Sequence, residues 1–166
     1  YDQQYLWLRG EGNDGKSTLL TLLEDALGNT ALSVSHPPGE DKHWALDWLN
    51  KRFAFIPDLR DLSSIRSGPW MQMTGGDKVT VRPFYSQGYP IRLPVKLAIA
   101  SQKHPDSELK KADKRRLIYG EIDPSKVTRL TTKYREDLAK EFPFFISYCI
   151  ETFHRLCPDP RMQIPV

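Results

Sequence analysis

The chain has 166 residues, 27% of them charged and 39% hydrophobic, with a formal net charge of +3. That length suits one α/β domain with a real core, and no run of eighteen apolar residues is present to cross a membrane. The charge balance alone does not mark a nucleic-acid binder, and two cysteines are too few for a disulfide framework or a zinc site.

Tyr1-Asp-Gln-Gln is neither a signal peptide nor a start methionine, and it runs at once into a strand, Tyr5-Leu-Trp-Leu8. The chain is therefore expected to be a piece of a longer protein. Next comes Gly10-Glu-Gly-Asn-Asp-Gly-Lys-Ser-Thr18, which fits the phosphate-binding pattern G-x-x-x-x-G-K-[ST]. Leu19, Leu20, Leu22, Leu23, Ala26 and Leu27 then recur at helical spacing until Gly28. Strand, glycine loop and helix in that order are the context the pattern requires. Glycines let backbone N–H groups fold around phosphate oxygens, and the helix start adds partial positive charge. Gly10, Gly12, Asn13, Asp14, Gly15, Lys16, Ser17 and Thr18 are thus the expected nucleotide cradle. Lys16 is expected to reach the β- and γ-phosphates of ATP, and Ser17 to ligate Mg²⁺.

A polar loop follows from Asn29 to Asp41; His36 and His43 flank it without ligand partners at metal spacing and read as ordinary loop residues. Trp44, Ala45, Trp48 and Leu49 suggest a short helix, and Phe53-Ala-Phe-Ile56 a buried strand that ends in Pro57-Asp58. An acid at the end of a second strand serves Mg²⁺ and the attacking water in phosphate-loop enzymes, which makes Asp58 the candidate and Asp61 a weaker one. A short helix is expected between Leu59 and Trp70, stopped by Gly68-Pro69. A glycine turn at Met73-Thr-Gly-Gly-Asp77 leads into a β-hairpin, with its tip near Tyr85 to Gly88. Lys78, Arg82 and Arg92 beside Tyr85 and Tyr89 suit a sugar-phosphate backbone and a stacked base, although an amphipathic hairpin with solvated charges is the plainer reading.

Val95 to Ala100 reads as a third buried strand, ending in Ser101, Gln102 and Lys103, where a polar side chain can sense the γ-phosphate. A basic run follows (Lys103, Lys110, Lys111, Lys114, Arg115, Arg116), then a strand at Leu117-Ile-Tyr119. Arg115 and Arg116 stand where that strand begins, a place from which an arginine can point at a neighbouring subunit's nucleotide. The last third, from Thr131 to Leu156, is expected to be a helix pair broken or kinked at Pro143. Cys149 and Cys157 there read as buried free thiols, which fits a reducing, cytoplasmic setting. Residues 158–166 form a proline-rich exit segment.

Taken together these features resemble the motor domain of superfamily 3 helicases, in the primase-helicase branch of phages, plasmids and poxviruses. Four segments carry the likeness. They are the loop Gly10 to Thr18, Met73-Thr-Gly-Gly-Asp77 with Lys78 and Arg82, Leu97-Ala-Ile-Ala-Ser-Gln-Lys-His-Pro105, and Arg115-Arg116 before Leu117. A fifth, weaker one is Leu138 to Ile146. Coverage runs from about Tyr5 to Phe153, within an ATPase domain over residues 1–157. Two departures are a sensor, usually asparagine, that is here Gln102, and an acid pair reduced to Asp58 after Pro57.

The resemblance implies a P-loop NTPase of AAA+-like form, with a parallel central sheet, a β-hairpin insertion and a C-terminal helical segment. It implies a homo-oligomeric ring, commonly a hexamer, with ATP·Mg²⁺ held between subunits by Lys16, Ser17 and Asp58. Arg116, or Arg115 in its place, is implied as the arginine finger. Lys78, Arg82, Tyr85 and Gln87 of the hairpin are implied to grip single-stranded DNA. The full-length chain is expected to carry a primase domain and to work in a host cytoplasm. Two alternatives stay open: a nucleotide-controlled assembly module with weak hydrolysis, and a small-molecule kinase.

Overall fold

Leu6 and Leu8 alternate with Tyr5 and Trp7 along the first strand, so a parallel sheet built on it must be covered on both faces. The computed structural model describes residues 4–39, 43–66, 68–105, 109, 114–126 and 132–156. They fall in two compact units, Tyr1–Val127 and Thr128–Val166.

In the first unit, β1 (Tyr5–Arg9), β2 (Ala31–Ser33), β3 (Phe53–Ile56), β6 (Lys96–Ser101) and β7 (Leu117–Glu121) form one sheet in the order β2-β3-β6-β1-β7. Every pairing in it is parallel. Register sets the two faces. Tyr5, Trp7, Ala54, Ile56, Leu97 and Ile99 share one core with Trp48, Leu59, Ile65, Trp70, Val79 and Val81. Leu8, Phe55, Ala98 and Ala100 share the other with Leu20 of helix α1 (Lys16–Leu27). Alanines at 98 and 100 leave room for that helix to lie close on the sheet. Leu20 is fully buried there, which stabilises by about 1.5–3 kcal/mol.

The 3₁₀ turn Trp44–Leu46 stands where a short helix is expected, and a second 3₁₀ segment covers Leu62–Arg66. Gly68-Pro69 does not stop a helix. It opens α2 (Gly68–Gly75), since proline's missing N–H costs nothing in a first turn. Thr74 and Gly75 therefore end a helix, and the turn falls on Gly76, in the left-handed region at φ 73°. The hairpin forms from β4 (Val79–Val81) and β5 (Tyr89–Ile91), paired antiparallel, with residues 82–88 as its loop. Phe84 lies in that loop.

In the second unit, α3 (Thr132–Leu156) runs unbroken through Pro143 in place of the expected helix pair. A proline there removes one backbone hydrogen bond without ending the ladder on either side. Cys149 is exposed rather than buried, along with Phe144 and Tyr148. Among the described residues of that unit there is no second element to bury them against. Lys110, Lys111, Cys157 and the 158–166 segment lie outside the described residues. No helix among the described residues is long and apolar enough to cross a membrane.

Candidate active site

Three adjacent strands, β3, β6 and β1, end side by side, and the loops leaving them enclose a cavity of about 320 Å³. Residues 12–18 line it together with Pro57, Asp58 and Gln102. Because β6 lies between β1 and β3, the turn after β6 falls between the glycine loop and the acid.

The loop after β1 turns back through two left-handed residues, Asn13 (φ 62°) and Gly15 (φ 89°), and α1 starts at Lys16. Lys16 is buried, and its Nζ donates to the carbonyls of Gly10 and Glu11, both at 2.9 Å. It also meets both carboxylate oxygens of Asp14, at 2.8 and 2.6 Å. The Lys16 amide, at the start of α1, donates to the same carboxylate at 3.3 Å. Side-chain exposure is 8% for Lys16 and 3% for Asp14, so this is a buried ion pair, and removing one partner of such a pair costs about 3–5 kcal/mol. A side chain at Gly10 would place its Cβ 1.7 Å from Asp14 Oδ2, so only glycine admits the carboxylate. The loop thus binds an anion, and in this structure the anion is its own.

Ser17 Oγ donates to the Pro57 carbonyl at 3.1 Å, which ties the start of α1 to the exit of β3. Asp58 takes a hydrogen bond from Arg60 Nε at 2.7 Å. Arg60 is 87% exposed, and an open pair of this kind holds weakly enough to exchange. Ser17 and Asp58 offer a hydroxyl and a carboxylate to one cavity, a donor set of oxygens that fits Mg²⁺. Asp61 does not line it. Both its carboxylate oxygens are held by Ser63, from the amide at 2.9 Å and the hydroxyl at 2.8 Å, as the cap of the 3₁₀ segment.

Ser101 is fully buried, and its Oγ donates to the Leu59 carbonyl at 2.7 Å and accepts from the Lys103 amide at 3.1 Å. Trp7 Nε1 donates to the Lys103 carbonyl at 3.3 Å, and the Gly10 amide to the Ser101 carbonyl at 3.2 Å. The turn is fixed on three sides, with the Gln102 side chain left at the cavity wall, its amide 4.0 Å from where a Cβ on Gly12 would stand. On the other side of the loop, Arg9 pairs with Glu121 across the β1–β7 register.

The sequence profile of a family of unknown function (DUF5906) matches residues 8–116. The chain belongs to that family. The matched stretch takes in every candidate residue from the glycine loop to Arg116, for a member whose cavity is the one just described. No curated protein matches this DUF5906 chain in sequence. Among solved structures, the apo C-terminal region of NrS-1 is similar at 14% identity with a TM-score of 0.63, over 85% of this chain and 35% of that one. Another apo structure of that region, residues 305–718, gives the same TM-score over 87% of this chain and 36% of its own. JCV helicase, bound to a small acetamide compound, is similar at 14% identity with a TM-score of 0.50, over 89% and 41%. The DUF5906 chain therefore has a helicase-like α/β fold, and it spans about a third of the NrS-1 region.

The remaining candidates lie away from the cavity. Arg116 precedes the first residue of β7, which pairs with Tyr5, whereas the glycine loop follows the last residue of β1. The length of a five-residue strand, roughly 16 Å, separates them. The Arg116 carbonyl accepts from the Tyr5 amide at 2.8 Å, and its two terminal nitrogens lie 3.7 Å from where a Cβ on Gly75 would stand. Arg115 is exposed. Lys78, Arg82, Tyr85 and Gln87 are all exposed on the hairpin, and Tyr85 takes a left-handed φ of 59°. Val79 and Val81 plug the hairpin base into the core, and His43 holds its loop. His43 Nδ1 donates to the Arg82 carbonyl at 2.7 Å, and its ring stacks on Phe84 at 4.4 Å. The reading of His43 as an ordinary loop residue missed that anchor, because its partners stand some forty positions away.

Proposed function

We propose that this DUF5906 chain is the ATP-hydrolysing motor of a superfamily 3 helicase, in the primase-helicase branch of mobile elements and viruses. The observation that carries it is the single cavity where the glycine loop, Asp58 and Gln102 meet at the ends of three adjacent parallel strands. Lys16 would hold the terminal phosphates, Ser17 and Asp58 would hold Mg²⁺, and Gln102 would orient the attacking water. Bound there, Mg²⁺ would supply positive charge against the charge that develops on the triphosphate. Arg116 is too far along the sheet to serve the loop of its own chain, which supports a role across a subunit interface in a hexameric ring. Arg115 is its understudy. Lys78, Arg82, Tyr85 and Gln87 would grip single-stranded DNA, and a primase domain would belong to the same full-length protein.

A second reading is a ring-assembly module that binds ATP but turns it over slowly. The pairing of Asp58 with Arg60, with no adjacent second acid, favours it. ATP hydrolysis measured with and without single-stranded DNA separates the two, since a motor is stimulated by its track. Lys16→Ala should bring turnover to background. DNA-stimulated hydrolysis surviving in that variant would remove the basis for the site.

A further inference from the structure

We propose that Asp14 sets the nucleotide affinity and metal dependence of this site by competing with the triphosphate for Lys16. The inference deepens the nucleotide reading above and rests on it. An ammonium has three N–H donors, and Lys16 Nζ has four acceptor atoms within 2.9 Å. No donor is left for a phosphate. Two of the acceptors are backbone carbonyls fixed by the turn, so the group that must leave is the Asp14 side chain. Its carboxylate also takes the Lys16 amide, one of the orphan N–H groups a phosphate would use at a helix start. The empty space at Gly10 is the seat that admits it.

Asp14 and a terminal phosphate carry the same sign of charge and want the same two donors. Both cannot be held at Lys16 together. Nucleotide entry therefore requires the carboxylate to swing out of its seat, into a cavity that Asp14 already lines with Asp58 and Gln102. There it still faces the phosphates, and their repulsion is least when a divalent cation screens them. The wild-type site should accordingly bind Mg·ATP and discriminate strongly against free ATP.

The test is equilibrium titration of the full chain with a fluorescent N-methylanthraniloyl-ATP, in Mg²⁺ and in excess chelator. Asp14→Asn and Asp14→Ala should each bind at least about tenfold more tightly than wild type, a change of about 1.4 kcal/mol, and their preference for Mg²⁺ should shrink. Asp14→Glu, which keeps the charge, should keep the preference for Mg²⁺. Thermal melting gives an independent readout if one variant folds poorly. Without nucleotide the neutral variants should melt lower than wild type, and saturating Mg·ATP should raise their melting temperature by more. Neutral variants that bind equally or less tightly, with an unchanged Mg²⁺ preference, would overturn the proposal. If wild type and the Asp14 variants all bind no better than Lys16→Ala, the nucleotide reading itself fails, and this one with it.

Discussion

The two ends of the parallel sheet handle charge in opposite ways. At the end with the glycine loop, the polar side chains are engaged by near neighbours: Lys16 by Asp14, Ser17 by Pro57, Asp58 by Arg60, Ser101 by Leu59. At the other end, where β7 begins, Arg115 is exposed and Arg116 half-buried beside Gly75, and the nearby hairpin carries Lys78 and Arg82 into solvent. The first region is held by contacts within the chain, which a ligand at the cavity would have to displace. The second is anchored at its base and bare at its tip. In the ring proposed above, the two kinds of surface would meet across each subunit interface.

The sharpest way to break that contrast is at Arg116. If it completes a neighbour's site, Arg116→Ala should lower ATP turnover by about 10³-fold or more while leaving nucleotide binding intact. Mixing that variant with Lys16→Ala should restore part of the activity, because some interfaces then hold one intact loop and one intact arginine. Proven co-assembly without any recovery would place Arg116 in a structural role within its own chain. A smaller effect is expected at the hairpin. Replacing Lys78 and Arg82 by Ala should weaken single-stranded DNA binding about tenfold or more. It should also flatten the dependence of log affinity on log salt by about 1.4, the loss of two phosphate contacts. DNA-free hydrolysis should be unaffected, and equal loss of both activities would show that the hairpin supports the fold.

What could be read from the chain alone follows the reach of each interaction. The glycine loop was legible because its geometry is coded within nine consecutive residues, and Asp58 and Gln102 because each stands at the end of an apolar strand run. The lid that Asp14 places on Lys16 was not, although both residues lie in the motif. It depends on Asp14 and on the left-handed turn at Asn13, both at positions the pattern leaves open. His43 and Ser101 were missed for a different reason: their partners lie thirty-nine and forty-two positions away, and only the folded sheet brings them together. Gly68-Pro69 reads as a stop in sequence yet opens a helix in the fold, because the pair suits both ends of one. The signal that decides it, an apolar run continuing to Met73, lies just beyond it.

Asp61 gives the finest test, since it separates the carboxylate that lines the cavity from a near neighbour that caps the 3₁₀ segment. The Ser63 amide first, then the Ser63 hydroxyl, and then the charge of Lys103 hold the Asp61 carboxyl below its ordinary value of 3.8. A pKa lowered by folding means that the cap contributes in full above the unfolded value and is lost as pH falls through the folded one. Asp61→Asn should therefore melt slightly lower than wild type from neutral pH down to about pH 5. The gap should close as the acid limb is descended, because the wild-type carboxyl is then protonated as well. Turnover should be unchanged in Asp61→Asn and strongly reduced in Asp58→Asn, measured at the same pH. The reverse pattern would mean that the acid facing the nucleotide is the capping residue, and that the loop after β3 rearranges when the site fills.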